Sequence, residues 1–302
     1  MDSSIYSSLC APKNKYFKLT VMDRLFSFWH FDIALILFIV IITLLYFYTI
    51  KFTLVKQYVY FFIGLLVIIL AVASPLHFLG EYYLFSAHMI THILLLLIAP
   101  PLMILGIPEE NRFQKSLQLI SKKIVAMPLM SWLCGIGIMW FWHIPYIYHH
   151  FLTMQNMGDD NSSIMIWHNV HMLSLWIAGI IFWWVIINPY KQYQLKPLTG
   201  VLYLSTACIL CSLLGLLITF APPNMYNYQM VMSDKYGFNN IIKNKWEISG
   251  AMDQQIAGLI MWVPCCFIYL TAAMLLLKKW FNEKEEITPT HNLNNLIKNA
   301  TL

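Results

Sequence analysis

Two pairs of histidines are the residues of this chain whose type and spacing point most directly to chemistry. His88 and His92 lie four residues apart, and His168 and His171 lie three residues apart. On an α-helix each spacing puts both imidazoles on one face with their Cβ atoms about 5–6 Å apart, close enough to share a metal ion. A single histidine more often bonds to backbone or water, but the two spaced pairs together favour a metal or proton role.

The sulfur-containing residues near these histidines indicate which metal is involved. Met89 follows His88 directly, and Met172 follows His171. Neutral imidazole suits copper, zinc, iron and nickel, whereas thioether and thiolate sulfur select Cu(I). Further methionines lie in the long polar stretch 221–250, namely Met225, Met230 and Met232. The donor set therefore predicts copper.

Three further residues are candidates for a supporting role at such a site. His77 and His143 are weaker candidates than the paired histidines. Asp253 stands beside Gln254 and Gln255 at the start of the last apolar segment. Its carboxylate is either an acid favoured by the dipole at a helix N-terminus or a functional group that orients a ligating imidazole. The sequence leaves these two roles open.

The elements that must position these residues are membrane-spanning helices. The chain is 59% hydrophobic and 11% charged, whereas soluble domains are about 25% charged. Runs of about 20 apolar residues cross the hydrocarbon layer as helices, and these are too long and evenly apolar for β-strands. The prediction is an all-α, polytopic transmembrane bundle of seven spans, at 31–50, 57–79, 86–107, 125–148, 164–188, 200–220 and 251–277.

The orientation of the bundle follows from its basic residues. Lys and Arg are more numerous in the loops after the first, third and fifth segments and in the C-terminal tail than on the opposite side. Positive residues favour the cytoplasm, so the N-terminus is predicted outside and the C-terminus inside. This divides the chain into an extracytoplasmic N-terminal segment (1–30), a seven-helix transmembrane domain (31–279) and a cytoplasmic tail (280–302).

With this orientation, all histidines except His291 fall at or beyond the outer ends of the predicted spans. They are His30, His77, His88, His92, His143, His149, His150, His168 and His171. Histidines that merely filled a core would have no reason to collect on one side. This asymmetry strengthens the prediction of an extracytoplasmic site.

Several other features carry structural expectations. The stretch 109–123 alternates charged and apolar residues, which predicts a short amphipathic helix on the membrane surface. Pro264 predicts a kink in the seventh segment. The six cysteines show no disulfide framework, and Cys208 and Cys211, although spaced C-x-x-C, are expected to pack as small hydrophobic residues.

Several function classes have no support in the sequence. Walker, Rossmann, Ser-His-Asp and HExxH patterns are all missing, so the protein is predicted not to be an enzyme. The chain has a net charge of +5, but the basic residues of a membrane protein mainly indicate its orientation in the membrane. No nucleic-acid partner is expected.

Read together, the motifs resemble the CtaG family of cytochrome c oxidase assembly factors, the seven-span membrane type known from caa(3)-type oxidases. The resemblance covers about residues 29–279. Its motifs are Ser86-Ala87-His88-Met89 with Thr91-His92, Ala99-Pro100-Pro101-Leu102, Gly106-Ile107-Pro108, Trp142-His143-Ile144-Pro145, His168 to His171, Phe182-Trp183-Trp184, Ala221-Pro222-Pro223 and Asp253-Gln254-Gln255 through Trp262.

The resemblance implies a role in maturing a haem-copper oxidase, through copper handling at the extracytoplasmic face. The implied partners are oxidase subunits, the lipid of the inner (plasma) membrane and a copper chaperone. The metal ligands would be His88, His92, His168 and His171, supported by His143, His77 and Asp253.

The sequence departs from the family pattern at two places. The motif His168-Asn169-Val170-His171 lacks the acidic residue expected just before the second histidine. Cys265-Cys266 stands where small residues such as glycine are common.

Two other functions remain open at this point. A copper or small-solute transporter would break its helices at Pro100-Pro101 and Pro264 around a path, but it should carry polar groups toward the cytoplasm, and residues 93–98 are all aliphatic. A haem-binding membrane redox protein would use histidines as axial ligands and would show a Soret band.

Overall fold

The computed structural model describes residues 28–50, 55–149, 161–223, 225–226 and 238–300, with only the backbone described for 161–166 and 284–300. These residues are predominantly helical. The only extended pairing among them is one isolated antiparallel bridge between Ile50 and Asn111. The prediction of an all-α membrane protein is confirmed.

The described helices of more than three residues follow one another in this order along the chain. They are α1 (Ile33–Thr49), α2 (Val55–Ala73), α3 (Pro75–Tyr82), α4 (Phe85–Ile93), α5 (Ala99–Leu105), α6 (Gln114–Ala126), α7 (Pro128–Trp142), α8 (Asn161–Trp184), α9 (Pro197–Phe220), α10 (Asn239–Asn244) and α11 (Gly250–Ala300). A π-helical turn, Leu94–Ile98, joins α4 to α5.

Four helical stretches among the described residues are long and apolar enough to cross a membrane. They are Val55–Tyr82, Phe85–Leu105, Pro197–Phe220 and Gly250–Glu283. The pair α6 and α7, bent by 82°, makes a fifth if it counts as one span, and the apolar helix α1 has only 17 residues. The structure therefore supports four or five spans, and the count of seven stays a prediction.

Two sequence expectations concern the ends and bends of helices. The predicted amphipathic helix is present as α6, and it ends immediately before Pro128, which opens α7. Proline suits the first turn of a helix and removes a donor, so a new helix axis starts there. By contrast, α11 continues through Pro264 without interruption and extends beyond the predicted end at 277.

The packing of the helices shows which segments are neighbours. A Cβ atom on Gly64 would lie 2.7 Å from Met103 Cγ, and one on Gly106 would lie 2.7 Å from Phe61 Cβ, so α2 and the α5 end of the third segment run antiparallel in close contact. A Cβ atom on Gly179 would lie 2.6 Å from the Leu96 carbonyl oxygen. The third and fifth predicted segments are therefore adjacent.

The π-helical turn lies directly after the first histidine pair. The Ala99 N–H donates to the Leu94 carbonyl, five residues back, and Pro100 and Pro101 have no N–H to continue the α-helical pattern. Such widened turns arise where the regular ladder is interrupted and are frequent at functional sites. The widened turn begins two residues after His92.

Candidate metal centre

The first turn of α4, which carries His88, is held by a residue from another helix. Leu84 occupies the N-cap position, and its side chain makes no capping bond. The Asp253 carboxylate of α11 replaces it, because the Phe85 N–H donates to Oδ2 at 2.6 Å and the Ser86 N–H to Oδ1 at 3.1 Å. The Ser86 hydroxyl also donates to Oδ1. Asp253 thus supplies the acceptor that an N-cap residue normally provides.

Three histidines from two helices meet in the interior of the bundle. His88 and His92 of α4 and His171 of α8 are buried, with exposed fractions of 3%, 2% and 0%. One ligand nitrogen from each lies within 4.8 Å of the others. The ring centroids are 4.4 Å apart for His88 and His92, 4.8 Å for His92 and His171, and 5.4 Å for His88 and His171.

Five of the six ring nitrogens of this cluster lack hydrogen-bond partners among the described residues. These are Nε2 of His88 and both nitrogens of His92 and His171. Leaving a buried polar group unpaired costs about 1–3 kcal/mol. Five such atoms would therefore destabilise the fold if they served only to fill the core. A metal ion bound by neutral imidazoles would satisfy three of them. The donor chemistry and the unpaired atoms therefore fit a metal.

His143 lies beside the cluster and contacts a methionine. Its ring centroid is 5.1 Å from that of His92. Nδ1 lies 2.5 Å from the Met139 carbonyl oxygen, which requires Nδ1 to be the donor, so the lone pair is on Nε2. That Nε2 lies 3.2 Å from Met89 Sδ. An imidazole lone pair and a thioether, both copper donors, thus adjoin the three histidines.

The backbone at His143 is held by Tyr226, just after α9. The Tyr226 hydroxyl donates to the His143 carbonyl oxygen at 2.8 Å. Burial raises the pKa of Tyr226 to about 12, so the hydroxyl keeps its proton at neutral pH and the bond persists. The two residues also line a cavity of about 530 Å³ between α7 and α9.

The second sequence pair is divided between two places. His171 points into the cluster, whereas His168 lies against α3, with its Nε2 3.2 Å from Nε2 of His77. The ring centroids of His168 and His171 are 6.3 Å apart. His77 in turn lies near Glu81, with Nε2 to Oε2 at 3.9 Å. The spacing predicted that both histidines share a metal ion, whereas the structure puts only His171 in the cluster and leaves His168 beside it.

Two contributing residues were not found from the sequence. Ser86 joins Asp253 through its hydroxyl, and Glu81 lies one turn after His77 on α3. The i, i+4 spacing of His77 and Glu81 was the available signal for the second of these. Ser86 carried no comparable signal, because its partner is 167 residues away.

The remaining histidines lie away from the cluster. His30 is exposed, and His149 Nε2 lies 2.7 Å from the Met225 carbonyl oxygen. His150, Met230 and Met232 fall outside the described residues, as does the side chain of His291.

The cysteines of the sixth and seventh predicted segments meet at the contact between α9 and α11. Sγ of Cys208 and Sγ of Cys266 are 3.3 Å apart, and Cys211 lies 3.7 Å from the Tyr269 hydroxyl. All the described cysteines are free thiols.

These features define the class: an α-helical membrane protein with a buried histidine cluster between two of its helices, next to a methionine. Residues 51–283 match the family described as cytochrome c oxidase caa3 assembly factor (Caa3_CtaG), and the chain belongs to that family. The matched region contains all seven candidate residues. Comparison with curated proteins and with solved structures gave no match.

Proposed function

We propose that this oxidase assembly factor handles copper, which it holds between His88, His92 and His171 before delivery to oxidase subunits. The observation that carries the proposal is the set of three buried imidazoles. Each has one nitrogen within 4.8 Å of the others, and each has at least one nitrogen without a hydrogen-bond partner in the described part of the chain. Copper is then the cargo of the protein, and no catalytic turnover is involved. The proposed partners are oxidase subunits and a copper chaperone that supplies the ion.

The donors around the cluster favour copper over other imidazole-binding metals. Copper binds nitrogen sites most tightly in the divalent series, and thioether sulfur is a further copper donor. The Met89 thioether and the His143 lone pair adjoin the three histidines. The other metals that imidazole suits have no comparable use for the thioether.

The packing of the π-helical turn after His92 favours retention of the copper ion over its transport across the membrane. Leu95, Leu96 and Leu97 of the π-helical turn are each 2% exposed, so the path from His92 toward the opposite side is filled with aliphatic side chains. A transporter needs polar groups there. A haem site is also disfavoured, because the three rings contact one another at centroid distances of 4.4 to 5.4 Å and leave no slab of space for a porphyrin.

The proposed role requires the cluster to face the extracytoplasmic side of the plasma membrane, in a seven-span, N-outside topology. A cysteine in place of Tyr146, which follows α7 and is 75% exposed, should react with a membrane-impermeant maleimide in intact cells. A cysteine in place of Lys191, in the exposed turn between α8 and α9, should react only after lysis. Labelling in the reverse order would invert the topology and move the site to the cytoplasmic side.

Cells that lack this protein should make the oxidase subunits but show low oxidase activity, with the largest deficit at limiting copper. The reason is that subunits without their copper ions are synthesised but inactive. The measurement is oxidase turnover in isolated membranes, divided by the amount of immunodetected subunits. Added copper should restore part of the activity. Normal turnover at limiting copper would contradict the copper role.

A further inference from the structure

A second histidine cluster lies beside the first on α3 and α8. Nε2 of His77 and Nε2 of His168 face each other at 3.2 Å, and the Glu81 carboxylate lies 3.9 Å from His77. Only one proton can lie between two facing ring nitrogens, so a hydrogen bond uses one nitrogen as donor and the other as acceptor. A metal ion would use the lone pairs of both.

The chemistry of this second group differs from that of the buried cluster. It contains two imidazoles and a carboxylate, a donor set that suits divalent transition metals. The side chains of His77 and Glu81 are 12% and 18% exposed, whereas the three clustered histidines are at most 3% exposed. The group of His77, His168 and Glu81 is therefore more accessible than the buried cluster, and its carboxylate attracts cations.

The two groups are neighbours through α8. His168 and His171 lie less than one turn apart on this helix, with ring centroids 6.3 Å apart. His171 in turn is in contact with His88 and His92. The histidines therefore form an unbroken series from the partly exposed group to the buried one.

We propose that His77, His168 and Glu81 form a second metal site, where a divalent copper ion binds before it passes to His88, His92 and His171. The passage part of this inference rests on the proposed function, whereas the existence of the second site does not. Transfer replaces imidazole and carboxylate ligands by imidazoles and needs no change in oxidation state. The second site thus binds the ion first and passes it to the buried site.

The test is titration of the detergent-purified full chain with Cu²⁺, followed by metal analysis and electron paramagnetic resonance. The wild-type protein should bind two equivalents with two distinct spectra. A His77→Ala, His168→Ala variant should bind one equivalent and take it up at least about tenfold more slowly. Glu81→Gln, which leaves both imidazoles in place, should weaken only the second site, within the range of about 10–100-fold seen for removal of supporting groups.

The two proposals fail in distinguishable ways. Two equivalents with an unchanged spectrum and rate in the His77→Ala, His168→Ala variant would overturn the second site and leave the buried site standing. The second site would also be overturned if the wild-type protein bound one equivalent of copper and only the His88→Ala, His92→Ala variant lost it. If instead that buried-site variant binds as much copper as wild type, the proposed function is wrong while the second site remains. His149→Ala, outside both groups, should match wild type.

Discussion

Replacing His88 and His92 together with alanine is expected to lower the affinity of the buried site for copper by more than about 100-fold. Loss of a group that merely supports a ligand costs about 10–100-fold in metal affinity, and this variant removes two of three ligands. The measurement is equilibrium competition against a copper chelator of known affinity, with the protein in detergent. His149→Ala is the matched control, because His149 is exposed and lies outside the cluster, with its Nε2 against the Met225 carbonyl oxygen.

A second substitution separates loss of metal from loss of fold. His92→Leu replaces an imidazole with two unpaired nitrogens by an apolar side chain. Removing unpaired buried polar groups can be neutral or stabilising, so the metal-free variant should unfold at the same temperature as wild type or higher, while its copper affinity falls. A site built for function commonly carries such a stability cost. Strong destabilisation of the metal-free variant would indicate that His92 has a structural role instead.

Replacing Asp253 with alanine is expected to destabilise the protein by roughly 3 kcal/mol or more. The change removes the acceptor for the Phe85 N–H, the Ser86 N–H and the Ser86 hydroxyl. Each buried donor left without a partner costs about 1–3 kcal/mol. The measurement is thermal or denaturant unfolding of the metal-free protein in detergent. Because the cap fixes the start of α4, copper affinity at His88 should fall as well.

The matched control is Asp32→Ala at the start of α1. Asp32 occupies an N-cap position, but its side chain makes no capping bond, so its loss should change the unfolding free energy by less than about 0.5 kcal/mol, as for ordinary surface positions. Asp253→Asn keeps one acceptor oxygen and should fall between wild type and Asp253→Ala. Equal stability of the Asp253 and Asp32 variants would show that the cap contributes nothing.

Much of the architecture is predictable because it depends on local patterns. Apolar runs of membrane length predict helices. The pair His88 and His92 is predictable for the same reason, since the geometry of one α-helix sets the distance between residues four apart. The adjacency of α4 and α8 at the site, by contrast, is seen only in the structure, where the His171 ring lies against those of His88 and His92.

The number of spans is harder to predict from these patterns than the presence of helices. Hydropathy separates the stretch 109–123 from the segment 125–148, and in the structure the corresponding helices α6 and α7 meet at 82°. Composition does not report the angle between consecutive helices, because that angle depends on the contacts each helix makes.

The paired histidines show where sequence reasoning ends. Spacing alone placed His88 with His92 and pointed to copper through Met89, and resemblance added the oxidase family, which the family match confirms. Spacing did not reveal that His171 joins them while His168 turns to His77, or that Asp253 caps α4 from 167 residues away. These relations depend on the rotation and depth at which separate helices pack. That packing is set by side-chain volume and close glycine contacts across the whole bundle, and no local pattern encodes it.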